Sequence, residues 1–262
     1  MDYAFNATAL GLGGVRESDG VTTIFPSLGS VVLSSTGGEG SSEILNYNRD
    51  GISFGAMQTR VSGSRVSDTL FCTTSDVRLS YVNLFGRLRV NQMRLSLTST
   101  RHLDREEDEA LFEVQASYRG VVIDDEELIP ELDVEMCSLQ TYDQFLQEAT
   151  ENAAHIAEKL EQDEQTVREM ATRRVPPIIR GSIVADIRKS ENSRLIHRRN
   201  RVHVPGLGQV KFGELLLKQG RRRINLLRFD FGDHLQETHT SEHGSMVMGS
   251  GEGNGMPIWP NG

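Results

Sequence analysis

Alternation of apolar and polar residues with a period of two limits the fold of this chain more than any other feature. Through residues 1–137, short segments rich in Val, Leu, Thr and Ser recur between glycine-containing turn signals. Successive side chains of a β-strand point to opposite faces, so this period predicts strands with one buried face. In residues 85–98 the alternation slips by one position between Val90 and Met93, which predicts a β-bulge.

A second period begins abruptly after the strands. Residues 138–174 contain neither Gly nor Pro, and their apolar residues follow a 3-4-3-4 spacing in which only Asp163 is polar. This spacing predicts one long amphipathic helix, about 45 Å in length for about 30 residues. The same period is typical of a coiled coil. The seam, which includes Leu146, Ile156 and Leu160, is therefore expected to pack either on the chain's own β-domain or on a second chain.

Strand patterns return after the helix. Residues 178–231 alternate again, and Gln219-Gly220 predicts a tight hairpin turn. From residue 233 onward the chain is rich in Gly, Ser and His, which predicts a flexible polar tail over residues 233–262. The expected fold class is mainly β: one antiparallel β-sandwich or barrel-like domain over residues 1–232, with the helix inserted at about 138–174. A separate C-terminal unit is the alternative, but residues 178–231 alone offer little core.

The net charge of −9 conceals a strongly uneven distribution. Residues 103–172 hold 21 acidic and 4 basic side chains, whereas residues 173–228 hold 15 basic and 3 acidic ones. We call these two stretches the acidic block and the basic block. Opposed blocks of this kind predict that the two surfaces pair, either inside one molecule or between two.

The basic block supplies most of the candidate contact residues. The candidate interaction surface consists of Arg198, Arg199, Arg201, Arg221, Arg222, Arg223, Leu146, Ile156 and Leu160. Nucleic acid is not the expected partner, because aromatic residues for base stacking are missing near these arginines and the acidic block would repel phosphate. Self-association, or a protein partner bound through residues 138–174, is expected instead.

Motifs for chemistry are weak. The segment Gly51–Gly55 matches G-x-S-x-G, but a strand follows it rather than the helix that a nucleophile elbow requires. The histidine cluster at residues 234–243 has no spacing typical of a zinc site. The acidic run at residues 124–127 would serve a carboxylate-dependent hydrolase only if several of its carboxylates faced one pocket. No catalytic residue, metal or cofactor is therefore predicted.

The expected function is that of a non-catalytic structural or protein-interaction protein. A carbohydrate- or ligand-binding β-sandwich is the first alternative, and a carboxylate-dependent hydrolase is the second. Cys72 and Cys137 are expected to be buried free thiols. The chain shows no secretory signal and no apolar stretch long enough to span a bilayer, so a cytoplasmic location is predicted.

Overall fold

The computed structural model describes residues 2–18, 20–103, 110–172, 178–232 and 243–258. Within these residues the chain is mainly β, as the sequence predicts. The strands are β1 (Asp2–Ser18), β2 (Val21–Leu28), β3 (Val31–Val32), β4 (Gly38–Arg49), β5 (Ile52–Arg65), β6 (Leu70–Leu84), β7 (Leu88–His102), β8 (Leu111–Ile123), β9 (Glu126–Leu132), β10 (Ile179–Ser182), β11 (Val184–Lys189), β12 (Ile196–Arg198), β13 (Arg201–Val204), β14 (Gly208–Lys218), β15 (Arg221–Phe231) and β16 (His243–Ile258). The helices are α1 (Val134–Ser138), α2 (Tyr142–Glu151), α3 (Ala153–Leu160) and α4 (Glu164–Thr172).

The strands form two antiparallel sheets. Sheet A has the order β12-β13-β14-β15-β16-β1-β2, with β10 beside β14 and β3 beside β1. Sheet B has the order β11-β9-β8-β7-β6-β5-β4. Both orders end in edge strands, so neither sheet closes on itself in the described residues. The strands that follow the helices complete both sheets, as expected, because β11 joins β9 in sheet B while the others enter sheet A.

The two sheets pack against each other over a common apolar core. Small residues on β16 let the layers approach closely: a Cβ added to Gly251 would lie 3.1 Å from Cδ2 of Leu95 in sheet B. At the same level the Ser75 hydroxyl donates a hydrogen bond of 2.7 Å to the Glu252 carbonyl. Hydrogen bonds of this kind satisfy polar groups that the contact removes from water.

Each sheet is crossed by one row of residues at which pairing is interrupted. In sheet B this row runs through Asn46, Gly55, Tyr81, Asn91 and Gly120, and the register is the same on both sides of it. Every second member has a positive φ, namely 54° at Asn46, 53° at Tyr81 and 58° at Gly120. The predicted slip in the alternation is present, since Val90 and Met93 are both buried, but the predicted β-bulge is wrong, because β7 keeps one register with β6 and with β8 on both sides of Asn91.

Sheet A has a matching row through Gly11, Gly249, Leu226 and Gly213. Here φ is positive at Gly213 and Gly249. The Tyr118 hydroxyl of sheet B donates a hydrogen bond of 2.9 Å to the Leu226 carbonyl in this row. Tyr118 thus supplies a partner to a backbone group at a position where strand pairing fails.

The prediction of one long helix at residues 138–174 is wrong. Asn152 has non-helical dihedral angles (φ −126°, ψ 43°) and separates α2 from α3, and Glu161 ends α3 in the left-handed region. The Asp163 carboxylate then accepts a hydrogen bond of 2.8 Å from the Thr166 backbone N–H at the start of α4. Asn and Asp favour helix ends over helix interiors, and the heptad-like spacing hid these two breaks, one at Asn152 and one at Glu161–Asp163.

The seam of the short helices packs inside the chain. Phe145, Ile156, Leu160 and Val167 form a second buried cluster with Leu217 of β14 and neighbouring residues. Helices of ten residues or fewer gain most of their stability from such packing.

The prediction of a flexible tail is wrong for residues 243–258. These residues form β16, which pairs with β1 on one side and with β15 on the other. Its glycines resemble those of a disordered tail, yet a strand at this position requires residues without side chains where the sheets approach. Residues 233–242, which hold His234 and His239, and residues 259–262, which include Trp259, lie outside the described residues.

Candidate functional site

A polar cleft of about 250 Å³ lies where the end of α3 meets β10, β13 and β14. Side chains of the acidic and basic blocks meet here within one molecule, so we call it the interblock cleft. Its charged lining consists of six cations, Lys159, Arg180, Arg199, Arg201, Lys211 and Arg228, and three carboxylates, Asp133, Glu161 and Glu214. The surplus of cations makes this cleft positive in a chain that is negative as a whole.

The turn between β12 and β13 carries arginines into the cleft. Asn200 fixes this turn through two hydrogen bonds to Phe212. Its side-chain amide donates to the Phe212 carbonyl at 2.7 Å, and its backbone carbonyl accepts from the Phe212 N–H at 2.8 Å. Arg199 adopts a positive φ of 52° and donates to the Glu158 carbonyl at the end of α3. Arg201 reaches the Glu161 carboxylate at 2.6 Å. Glu161, which ends α3, therefore also connects this helix to the β12–β13 hairpin through its ion pair with Arg201.

A buried ion pair forms the opposite wall. The Lys159 ammonium lies 2.8 and 2.6 Å from the two carboxylate oxygens of Asp133 and 3.1 Å from Glu135. Burial of the ammonium works against its charge, but hydrogen bonds to both carboxylates outweigh this effect and raise the pKa of Lys159. Asp133 also accepts a hydrogen bond of 3.0 Å from the Met136 N–H and thereby begins α1. The pair links α1 to α3 and holds this wall in place.

The floor of the cleft is a chain of ion pairs along β14 and β15. Arg228 lies 3.1 Å from Glu214 and 2.7 Å from Asp230, and Lys211 lies 2.7 Å from Asp230. Burial raises the pKa of Asp230, but the hydrogen bonds from Lys211 and Arg228 prevail and lower it below the usual value. Glu214 also accepts from the Asn225 amide at 2.6 Å. Each of these carboxylates is already occupied by a cation of the protein.

Arg180 on β10 differs from the other cleft cations. It is exposed, and within the described part of the chain it makes no hydrogen bond or ion pair. Arg198, at the rim, has a side chain that is 78% exposed and lies 3.7 Å from Glu161. These two guanidinium groups are the ones available to an incoming anion.

The structure divides the predicted interaction surface. Arg199 and Arg201 line the interblock cleft and Arg198 lies at its rim, whereas the three arginines of β15 point elsewhere. Arg221 pairs with Glu252. Arg223 lies 3.4 Å from the hydroxyl of Ser250.

Arg222, Ile156 and Leu160 are not surface residues, so their assignment to a contact surface is wrong. Arg222 is 1% exposed, lies over the ring of Phe112, and donates to the Leu139 carbonyl at 2.6 Å. Ile156 and Leu160 are buried in the chain's own helical core, and Leu146 is half-buried against it. The helical seam is used for internal packing, which removes it from the candidate surface.

The sequence did not single out Lys159, Arg180, Lys211 or Asp133. Lys159 carried a usable signal, because it and Arg168 are the only cations among residues 138–172. A single lysine in an acidic amphipathic segment is a candidate for a buried pair. Arg180 and Lys211 gave no such signal, since they are two of fifteen basic residues in their block.

The acidic run of residues 124–127 lies at the turn between β8 and β9 and extends into β9. Three of its residues, Asp125, Glu126 and Glu127, line an open hollow of about 520 Å³. However, Asp125 pairs with Arg89 at 2.5 Å, and hydrogen bonds from Ser193 and from the Arg194 backbone lower the pKa of Glu126. A carboxyl that acts as a general acid needs a raised pKa, whereas the pKa of Glu126 is lowered.

The segment at Gly51–Gly55 is a turn that enters β5, as expected, and no helix follows it.

Cys72 and Cys137 are free thiols, as predicted, although both are half-buried rather than fully buried. Burial raises the pKa of Cys137 to about 11, so this thiol is a poor nucleophile near neutral pH. Within the described residues, no helix has the length and apolar character that a membrane span requires.

The fold and cleft define a two-sheet antiparallel β protein with short helices packed at one end. Residues 3–218 match the family described as Domain of unknown function (DUF8256), and the chain belongs to this family. No curated protein and no solved structure matches the chain. The match includes most of the interblock cleft, whereas β15, with Arg228, and β16 lie beyond it.

Proposed function

We propose that this protein is a non-catalytic interaction module, built as a β-sandwich, which binds an acidic segment of a protein partner at the interblock cleft. The observation that carries the proposal is the surplus of cations among the residues that line the cleft, together with the guanidinium of Arg180, which has no partner among the described residues. Arginine binds carboxylates through two parallel hydrogen bonds, and it suits protein interfaces because it is weakly hydrated.

The internal ion pairs support this function by fixing the walls. Asp133 with Lys159, and Glu161 with Arg201, hold α3 and the β12–β13 turn at a set separation. The partner therefore meets a site that is already formed, which reduces the entropy lost on binding. The carboxylates of the protein pair with Lys159, Arg201, Lys211 and Arg228, which leaves positive charge at Arg180, Arg198 and Arg199 for the partner.

The test is fluorescence anisotropy with a labelled deca-glutamate peptide at low and high salt. We expect the peptide to bind, the affinity to fall with added salt, and Arg180→Gln to weaken binding by about fivefold, which is the worth of one partly exposed pair. Arg49→Gln is the matched control, because Arg49 is an exposed arginine on β4, outside the cleft, and already pairs with Asp50. Equal binding of a deca-glutamine peptide, or no effect of Arg180→Gln, would refute the proposal.

Self-association through residues 138–174 stays a prediction, as does a cytoplasmic location. Size-exclusion chromatography with light scattering at two salt concentrations tests the former. An oligomer that dissociates with salt would indicate that copies associate through their charge blocks. A monomer at both concentrations would leave the interblock cleft free for another protein.

A further inference from the structure

The outer face of sheet B carries an exposed aromatic ring on a strand. Tyr81 on β6 is 73% exposed, and it is the only large aromatic side chain exposed to this extent among the described residues. It belongs to the interrupted row, with a φ of 53°, and its ring lies over Gly55 of the neighbouring strand. A Cβ at Gly55 would lie 2.9 Å from Cδ2 of Tyr81, so only glycine leaves room for the ring there.

Three arginines share this face beside the ring. Arg78 on β6 lies directly opposite Arg94 on β7. Arg119 on β8 lies opposite Gln92, which is two residues from Arg94 on the same face of β7, so Arg94 and Arg119 are diagonal neighbours. Opposed residues of this kind have Cβ atoms about 5 Å apart and diagonal ones about 7–8 Å apart. Like charges placed directly opposite destabilise a sheet. The side chains of Arg78, Arg94 and Arg119 make no hydrogen bond or ion pair to any described residue.

Most other arginines of the two sheets have a carboxylate partner. Arg60, on the same face, pairs with Glu39 at 2.8 Å, and Arg87 pairs with Asp124 at 2.5 Å. The face also carries carboxylates that form no ion pair with a described residue, among them Asp76, two residues before Arg78, Glu43, two strands away in the row of Arg78 and Arg94, and Glu113, farther along β8 from Arg119. Arg78, Arg94 and Arg119 therefore differ from most arginines of the two sheets, because they have no carboxylate partner among the described residues.

We propose that this face binds an acidic saccharide, with the sugar ring on Tyr81 and its acid group on the arginines. A sugar presents an apolar C–H face that suits the flat ring of tyrosine, which is apolar in its body and polar at its tip. Its carboxylate or sulfate group suits the fork of an arginine. Tyr81 follows Arg78 by three residues, a distance of about 10 Å along a strand. Ser80 and Gln92 lie between them and offer hydrogen bonds to hydroxyl groups.

Native affinity electrophoresis tests this site directly. The protein is run through gels that contain polygalacturonate, dextran sulfate or neutral dextran, which offer carboxylate, sulfate or no acid group. We expect retardation by at least one acidic polymer and none by neutral dextran. Which acidic polymer retards the protein identifies the acid group. No retardation by either acidic polymer overturns the proposal.

The variants separate saccharide binding from general attraction to polyanions. Tyr81→Ala and Arg94→Gln should each weaken the retardation at least fivefold, whereas Tyr81→Phe should stay within twofold of the native protein because it keeps the ring. Arg49→Gln is the matched control, because Arg49 lies on β4 of the same sheet, is exposed and pairs with Asp50, and this variant should also stay within twofold. All four changes are on exposed side chains, and urea unfolding verifies that each variant is folded. Undiminished retardation of Tyr81→Ala, or equal retardation by duplex DNA, overturns the proposal.

Discussion

Replacement of Tyr118 by phenylalanine removes one hydroxyl group from the contact between the two sheets. The ring stays in place against Phe212, at 5.8 Å between centroids, so the change creates no cavity. The Leu226 carbonyl loses its hydrogen bond of 2.9 Å at a position where strand pairing is interrupted. Tyr118 is partly buried, which raises the pKa of its phenol, and Leu226 is fully buried, so water has limited access to the carbonyl that loses its donor.

The expected cost follows from the group left without a partner. A buried carbonyl that loses its donor costs about 1–3 kcal/mol, so we expect Tyr118→Phe to lower the free energy of unfolding by about 2 kcal/mol. For a chain of this size, that corresponds to a fall in Tm of roughly 4–8 °C. The purely hydrophobic effect of removing a hydroxyl has the opposite sign, so a loss of stability identifies the hydrogen bond as its cause.

Equilibrium unfolding in urea, followed by far-UV circular dichroism, measures this difference. Tyr81→Phe is the matched control, because the same atom is removed from an exposed ring, and it should change stability by no more than about 0.5 kcal/mol. If Tyr118→Phe also stays within that range, the hydroxyl does not satisfy the Leu226 carbonyl and the account of the interrupted rows is wrong.

Three further changes test other parts of the structure. Gly120→Ala should lower the free energy of unfolding in urea by about 1–2 kcal/mol, because φ is 58° and the new Cβ would lie 2.2 Å from the Asn91 amide nitrogen. Gly86→Ala is the control: φ is 72° there, but a new Cβ meets open space, so the loss should be smaller. Equal losses for the two variants would contradict the steric explanation. Asp163→Ala should cost about 1 kcal/mol through the lost cap of α4, and Asp163→Asn should restore most of it. Asp230 has a lowered pKa, so its ion pairs stabilise the fold above about pH 4 and this contribution is lost as the pH falls further. Asp230→Asn should therefore reduce the unfolding free energy at pH 7 more than at pH 3; an equal loss at both values would show that the charge is not responsible.

The strands of this fold could be predicted because their period is local. Alternation marked both sheets, and Gln219-Gly220 forms the predicted hairpin between β14 and β15. The interrupted rows were visible only in β7, where Val90 and Met93 are both buried. In most other strands the same slip passes through glycine, Asn46 or Tyr81, none of which is a buried apolar residue, and in β15 it passes through Leu226 within a run of buried residues. Only the register between strands shows that these separate slips form one row.

The helical segment shows where periodicity misleads. Its 3-4 spacing persists because Tyr142, Ala149 and Ile156 all face one core, although the backbone turns between the helices. Asn152 and Asp163 carried the contrary information, since both favour helix ends. The spacing of apolar residues describes which side is buried, whereas the capping residues describe where the helix stops.

The candidate sites were predictable only in outline. The opposed charge blocks indicated that acidic and basic surfaces meet, and Glu161 with Arg201 is one such contact. Which arginines stay unpaired depends on register, because Arg78 and Arg94 become neighbours only when β6 pairs with β7. Arg222 was misassigned for the same reason: a run of three arginines does not show that the middle one faces inward.

The place of β16 in sheet A sets an order of events during protein synthesis. Strands β4 to β9 follow one another along the chain and are neighbours in sheet B, so they can pair as they leave the ribosome. By contrast, β1 pairs with β16 from Asp2 opposite Ile258 to Glu17 opposite His243, more than two hundred residues later. At about 5–20 residues per second, one edge of β1 waits roughly 10–50 s for its partner. During that interval the nascent chain presents an open edge to other chains, so a strand made more than two hundred residues later decides whether this edge of β1 is protected.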